Sequence, residues 1–296
     1  MVAARKTLAS KDATEDGDLD RNADQIVREI GIPPCPAVLT QLLRETRAEE
    51  PDFRQVGQLV GGDVALASAV LAVTNSSFYG LRVKAASVQQ ALSLLGLSTV
   101  THLVTGLLLR QAFSAFTGPA MEAYWKRSTA TSLICALVCR ETGAGDMGVA
   151  STYGLFRDCG VPVMLRRYPI YADIFDGSAL VPGEPVIDLE NDRYSTNHAR
   201  VGLQLARSWH LPASMCFAIL RHHDLLYSFE SRALAQPGPL ALVAIGLAAD
   251  QLFCRATGTA CAEWSIAGGW AMSELQLSSE IMDDLADRAR GALEPP

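Results

Sequence analysis

The sequence predicts an all-α fold, and three features of it carry that reading. Apolar residues recur at three- and four-residue spacing through nearly every segment. Most of these segments open on a capping side chain or a proline, and several close on glycine. No run alternates apolar and polar residues for long enough to form a half-buried strand.

Taken in order, residues Met1 to Asp24 are polar and acidic and include KDATEDGDLD; they lack the apolar stretch of a signal peptide. They are expected to form a disordered tail (1–24). After Pro36, Val38, Leu39, Leu42 and Leu43 mark the buried face of a first helix. Asp52 and Gln55 form a candidate capping box ahead of Phe53, Val56 and Leu59. Asp63 caps VALASAVLAV, which is apolar on all sides and expected to be fully buried. Ser87 and Gln90 form a second capping box before Ala91, Leu92, Leu94 and Leu95, and Gly96 ends that helix. Ser98 starts the next, with Val100, Leu103, Val104, Leu107 and Leu108 inward.

Thr117-Gly118-Pro119 is the clearest break. A long helix should run from about Ala120 to Thr142 and end at Gly143. Asp146 restarts the chain into a helix carrying Phe156-Arg157-Asp158. Pro162, Pro169, Pro182, Gly183 and Pro185 mark a loop-rich stretch with short helices. Further helices are expected over His198–His210, from Pro212 to near His222-His223, over Pro239–Ala256, and over the amphipathic segment Ser279–Arg290. There is no internal repeat.

Composition narrows the function classes. Apolar residues make up 49% and charged residues 19%, enough to bury a sizeable core and too few charges for a disordered chain. The net charge of -7, with no basic cluster, argues against binding nucleic acid through its phosphates. The longest apolar run, Leu240–Ala249, is about half the ~20 residues that span a bilayer, so no membrane insertion and a cytoplasmic location are expected. The seven cysteines are odd in number and contain no CxxC, which favours reduced thiols acting as small apolar residues. Cys135 and Cys139 share a helix face and are weighed as a metal or redox pair against plain core. Trp125, Trp209, Trp264 and Trp270 read as core. No GxSxG elbow, Walker A loop or GxGxxG fingerprint occurs.

Three strings carry a resemblance: IPPCPAVLTQLL, GGDVALASAVLAVTNSSFYG and SVQQALSLLGLSTVTHLV. Together with YWKRSTATSLICALV, GLFRDCGVPVML and NHARVGLQLARSWHLPASMCFAILRHHD they resemble an HDOD domain over about Ile30 to Asp224. That family is the signalling branch related to HD-type metal phosphohydrolases. The resemblance implies an HDOD fold, with an N-terminal helical bundle packed on a degenerate HD-like helical half. It divides residues 25–224 into an N-terminal half (25–117) and an HD-like half (118–224). Residues 225–296 are left as a C-terminal helical extension, either packed on the core or offering Leu240 to Phe253 as the surface of a homodimer.

A working HD site gathers imidazoles and carboxylates around divalent ions that activate water. By the resemblance, Arg127 stands where the first histidine should be. Arg157-Asp158 replaces the His-Asp pair, and Val161 replaces the lysine that follows it. His198 and the pair His222-His223 match downstream histidines, and Asp250 stands for the final aspartate. Arginine has no lone pair to donate, so Arg127 and Arg157 cannot be ligands. One of them is expected to pair with Asp158 where a metal stood, leaving a pocket of Arg127, Arg157, Asp158, His198, His222, His223 and Asp250 with no catalytic residue, no metal and no cofactor. Local readings stand beside this one: a capping role for Asp158, a structural one for His198, and favourable imidazolium at a helix C-terminus for His222 or His223.

Three functions follow. The first is a non-catalytic regulatory module that binds signalling protein partners in bacterial signal transduction. The second is a receptor for a phosphate-bearing ligand such as a cyclic dinucleotide, gripped by the two arginines. The third is a residual metal-dependent phosphohydrolase with one ion at a shifted position.

Overall fold

The computed structural model describes residues 17–29, 35–46, 48–76, 79–176, 185–224 and 237–293, and every regular element among them is helical. The first helix, α1, covers 17–29. It is followed by α2 (Ala37–Thr46), α3 (Phe53–Gly61), α4 (Val64–Thr74), α5 (Val88–Ala112), α6 (Pro119–Thr142) and α7 (Met147–Phe156). Next come α8 (Val161–Arg167), a 3-10 turn at Pro169–Tyr171, α9 (Ala172–Phe175), α10 (Val186–Tyr194), α11 (His198–Ser208) and α12 (Ala213–Arg221). The last three are α13 (Pro237–Thr257), α14 (Ala262–Glu274) and α15 (Ser279–Leu293).

Local chemistry sets most of these boundaries. Asp52 accepts from the amides of Arg54 and Gln55 at 2.8 and 3.0 Å, while its own amide donates to Glu45 Oε2 at 3.4 Å. At α5 the box is nearly reciprocal. Gln90 N donates to Ser87 Oγ at 3.2 Å, and Gln90 Oε1 accepts from Ala86 N, one residue ahead of the cap, at 2.7 Å. Gly96 breaks α5 with φ 81 and ψ 163, a conformation open to glycine and hard for other residues, as the sequence requires. Gly143 closes α6 in the left-handed conformation. Asn75 acts as a clamp: its amide bonds both Ala85 O (2.8 Å) and Ala85 N (2.7 Å), pinning both ends of the 75–85 loop. Ser77 and Phe78 of that loop, like Pro182 and Gly183, lie outside the described residues.

Helices α2–α5 form the N-terminal bundle, and α5 packs along α7 to join it to the HD-like half. The centre of that second half is the α6–α7 pair, with α13 laid against α6. Trp209 and Trp270 are buried, and Trp125 and Trp264 pack against the core from partly buried positions.

Two expectations need correction. Helix α4 is not fully buried: Leu66, Val70 and Thr74 turn inward, while Val64 is 79% exposed because the bundle covers only one side of the helix. The acidic tail is helical from residue 17, because Ala23 and Ile26 are buried and the helix is tied down by polar bonds. Asn22 donates to Ser195 O at 2.9 Å, Thr196 Oγ1 to Leu19 O at 3.1 Å, and Arg200 pairs with Asp20. Residues 1–16 lie outside the described ones. Of the two readings open for the C-terminal residues, the burial pattern is that of packing on the core: in Leu240 to Phe253, Leu240, Val243, Ala244, Ile245, Leu247, Ala248, Ala249 and Leu252 are buried within the chain, facing α6, α12, α14 and α15. The C-terminal residues therefore complete the core of the HD-like half.

By length and composition alone, Val88–Ala112 and Gly238–Thr257 could each cross a membrane. The sequence suggested otherwise because the polar Asp250 interrupts the apolar run that α13 continues. In this fold 50% of the first apolar window and 67% of the second are buried against other helices.

Candidate functional site: a histidine cluster and a buried arginine clasp

Asp158 lies in the turn between α7 and α8, where Arg157 N donates to Tyr153 O at 2.7 Å and Val161 N to Asp158 O at 2.9 Å. Gly160 lets this turn sit directly on the start of α11. A β-carbon at Gly160 would lie 2.0 Å from His198 O and 2.8 Å from Gly202 N. Both atoms are backbone, so Gly160→Ala must push α8 off α11. The expected result is a loss of about 1–3 kcal/mol in chemical denaturation, and a variant as stable as the parent would mean that the two elements are not in contact.

Asn197 caps α11, accepting from Arg200 N at 2.9 Å, and places His198 in the first turn. The His198 amide donates to Glu190 Oε2 at 2.9 Å, and its Nδ1 lies 2.8–2.9 Å from both Glu190 oxygens. Glu190 is fully buried on α10 and also accepts from the Tyr171 hydroxyl. At the end of α12, His222 Nδ1 lies 2.7 Å from Ile219 O, and His223 Nδ1 contacts Glu263 on α14. Each Nδ1 thus faces an acceptor, which makes it the donor and turns the Nε2 lone pair inward.

The three inward nitrogens converge. His198 Nε2 lies 3.2 Å from His222 Nε2 and 3.1 Å from His223 Nε2. Asp158 Oδ1 is 3.5 Å from His198 Nε2 and 3.2 Å from His222 Nε2. All four ligand atoms fall within 4.8 Å of one another. Facing lone pairs repel, so a positive charge belongs among them: a proton or a metal ion. Burial alone would lower the His198 pKa, but Glu190 and Asp158 outweigh it and raise it to about 10. Burial, helped by His223 and Arg157, drives His222 down to about 3. Burial also opposes ionisation of Asp158, yet Arg157, His198 and His222 hold it well below the usual carboxylate range. Glu263 is held at about 2 against its burial, chiefly by His223.

The arginines do not sit where the sequence placed them. Arg157, 2% exposed, pairs with Asp250 on α13 rather than with Asp158, and donates to Gly246 O at 3.2 Å. Arg127 reaches the other Asp250 oxygen at 3.8 Å from a half-exposed position. Arg157 and Asp158 are neighbours in sequence, but they point to opposite sides of the α7–α8 turn: one under α13, the other toward α11 and α12. The predicted pocket is therefore two groups, the cluster Asp158-His198-His222-His223 and the clasp Arg127-Arg157-Asp250.

Three nitrogens and one carboxylate oxygen at these separations fit a single divalent transition ion such as zinc. The carboxylate and carbonyl contacts at the three Nδ1 atoms are the arrangement that orients ligating histidines. Sequence reasoning expected no metal here, and it missed Glu190 and Glu263, which hold two of the rings. The only hint of them was that an inward-facing histidine needs an acceptor on its other nitrogen.

An all-helical bundle joined to an HD-like half with a histidine-aspartate cluster defines a class of HD-related proteins. Within it, the HDOD domain profile matches residues 32–225, and the chain belongs to the HDOD family. In crystal structures, the fold is similar to an HDOD domain protein of unknown function from Geobacter sulfurreducens (20% identity, 93% of this chain and 97% of that one, TM-score 0.72). It is also similar to a protein named as a candidate phosphohydrolase from Shewanella amazonensis (18% identity, 91% and 93%, TM-score 0.68). A third, named as a candidate signal transduction protein, comes from Marinobacter aquaeolei (18% identity, 95% and 64%, TM-score 0.69). An uncharacterised protein of Treponema pallidum is 23% identical over 204 residues; the match takes in 67% of this chain and 39% of that relative's length.

Proposed function

We propose that this chain is a regulatory module of bacterial signal transduction that holds one divalent ion in a closed site and does not hydrolyse phosphoesters. The observation that carries this is the convergence of three His Nε2 atoms and Asp158 Oδ1, with every Nδ1 already engaged. Catalytic zinc sites keep three protein ligands and an open position for water, whereas structural sites fill all four from the protein. Here four ligands are supplied, and His198 and His222 are almost wholly buried. The clasp argues the same way. Asp250 is the carboxylate a second ion would need, and Arg157 occupies it with a charge that cannot be removed. The same pairing weakens the nucleotide-receptor reading, since both arginines are turned to Asp250 rather than free to grip phosphate. The module would then act by contacts with a protein partner in the cytoplasm, its ion fixing the relative position of α7, α11 and α12.

Elemental mass spectrometry on protein purified without chelator tests the ion, and a chromogenic phosphodiester with added manganese tests the chemistry. About one ion per chain and no turnover above background is the expected result. Manganese-dependent turnover abolished by Asp158→Ala would revive the hydrolase. Absence of any ion would leave a protonated His198 as the charge at the centre of the cluster.

A further inference from the structure

Near the boundary between the two halves of the chain, the fold leaves a groove that the histidine cluster does not use. One wall is the junction between α5 and α6, with Phe116 and Pro119. The other is α8 and the 3-10 turn after it, with Pro162, Leu165, Arg166 and Pro169. Its volume of about 510 Å³ lies within the ~300–1,000 Å³ of ligand-binding clefts. Phe116 and Leu165 are half-buried, while Pro119, Arg166 and Pro169 are exposed. Ile170, next along the chain, is 58% exposed.

The lining sets the chemistry of an occupant. It is apolar apart from Thr117 and Arg166, and Arg166 carries the only charge among the described residues that form it. The Arg166 guanidinium lies 4.3 Å over the Phe116 ring, which holds it at the groove. It pairs with no carboxylate among the described residues, whereas its neighbour Arg167 is matched by Glu29 at 3.3 Å. The opposite wall opens α6. Gly118 supplies no capping side chain and Pro119 no N–H, so the amides of Ala120 and Met121, both in the lining, are left for a ligand. The start of a 24-residue helix also favours negative charge. Both walls therefore call for carboxylates, and the surface between them for an apolar side chain. Cationic groups gripping acidic residues beside a seat for apolar ones is a recurring mode of peptide recognition.

We propose that this groove seats a segment of the partner protein in which an apolar side chain is flanked by carboxylates, and that its occupation is transmitted to the histidine cluster through Tyr171 and Glu190. The lining residues Pro169 and Ala172 bracket Tyr171, which is buried and donates its hydroxyl to Glu190. Glu190 in turn holds His198 Nδ1 at 2.8–2.9 Å. On the same wall, the start of α8 rests on the His198 backbone at Gly160. A segment that fixes the 3-10 turn fixes Tyr171, and with it the ring that must face the ion. By reciprocity the ion then tightens the segment. The seat deepens the reading of the chain as a protein-binding module and rests on it; the transmission rests also on the reading of the cluster as an ion site.

The probe is a random peptide library displayed on phage and selected on the folded full chain. Selected peptides should carry Asp or Glu beside a large apolar residue. In fluorescence anisotropy, Arg166→Glu should weaken them about tenfold or more, while Arg166→Lys keeps most of the affinity. No enriched sequence, peptides without acidic residues, or equal affinity for the parent and a folded Arg166→Glu overturns the seat. Self-association of the parent that Leu165→Asp abolishes assigns the groove to a second copy of the chain and overturns the partner segment. Phosphodiester turnover by the parent overturns the module reading whatever the library yields, whereas a failed selection without turnover overturns the seat alone. Saturating zinc should raise peptide affinity about fivefold or more over that in chelator, and Tyr171→Phe, which keeps the ring but loses the bond to Glu190, should abolish the rise. No rise in the parent, or an equal rise in Tyr171→Phe, overturns the transmission alone. A chain that binds no zinc overturns the ion site and the transmission with it, while the selected peptides still decide the seat.

Discussion

Arg157→Leu is expected to destabilise the fold by about 3–5 kcal/mol, the range for removing one partner of a buried ion pair. Arg157 is 2% exposed and its partner Asp250 5%. Without the guanidinium, the buried Asp250 carboxylate is left without its close counter-charge. Arg127 does not replace the lost partner. It reaches Asp250 at 3.8 Å from a position 43% exposed, where solvent screens it. Arg127→Ala should therefore shift stability by less than about 1 kcal/mol. The decisive comparison is the double variant Arg157→Leu/Asp250→Leu. With both charges gone the site is apolar, and most of the loss should be recovered, because a buried pair contributes little net stability over a well-packed apolar one. Urea unfolding in the presence of chelator reads all three without interference from a bound ion. An Arg157→Leu variant within 1 kcal/mol of the parent would show that Asp250 is not dependent on this arginine.

The clasp also shows where sequence reasoning reaches its limit. Helix ends were legible because their causes are local: Gly96 breaks α5, Gly143 ends α6, and Asp63 and Ser87 cap the helices that follow them. Asp158, His198, His222 and His223 were legible as a group because family resemblance supplied a pattern to test. Nothing local says which of two consecutive side chains faces which neighbour, so the sequence puts Arg127 or Arg157 beside Asp158, whereas both reach Asp250. Glu190 and Glu263 carry no motif; each becomes functional only through a histidine 8 or 40 positions away. The tail misled for the same reason. Two apolar residues, Ala23 and Ile26, look too few to hold a helix until Asn22 and Leu19 are seen bonded to residues 195 and 196.

His222→Ala should remove ion binding altogether. Its ring is the most enclosed of the three: it is 2% exposed, its Nδ1 is held by Ile219 O at 2.7 Å, and its Nε2 meets both His198 Nε2 and Asp158 Oδ1 at 3.2 Å. In the parent, an ion that binds only the folded chain stabilises it by RT ln(1 + [L]/Kd), about 4 kcal/mol at a thousandfold excess over Kd. Thermal unfolding with added zinc should show that gain for the parent and none for His222→Ala, while Glu263→Gln should keep the gain at concentrations about 10–100-fold higher. Loss of the ring also leaves a small void, so both proteins are compared first in chelator to separate packing from binding. The pH dependence has a definite sign. Without an ion, His198 keeps its proton until about pH 10, because Glu190 and Asp158 outweigh burial. An incoming ion must displace that proton, so below this pH the affinity should rise about tenfold for each unit of increasing pH, with about one proton released per ion bound. Uptake that releases no proton would mean that the ion does not use His198 Nε2. An equal zinc-induced gain in parent and His222→Ala would place the ion outside the cluster and remove the basis for reading it as a metal site.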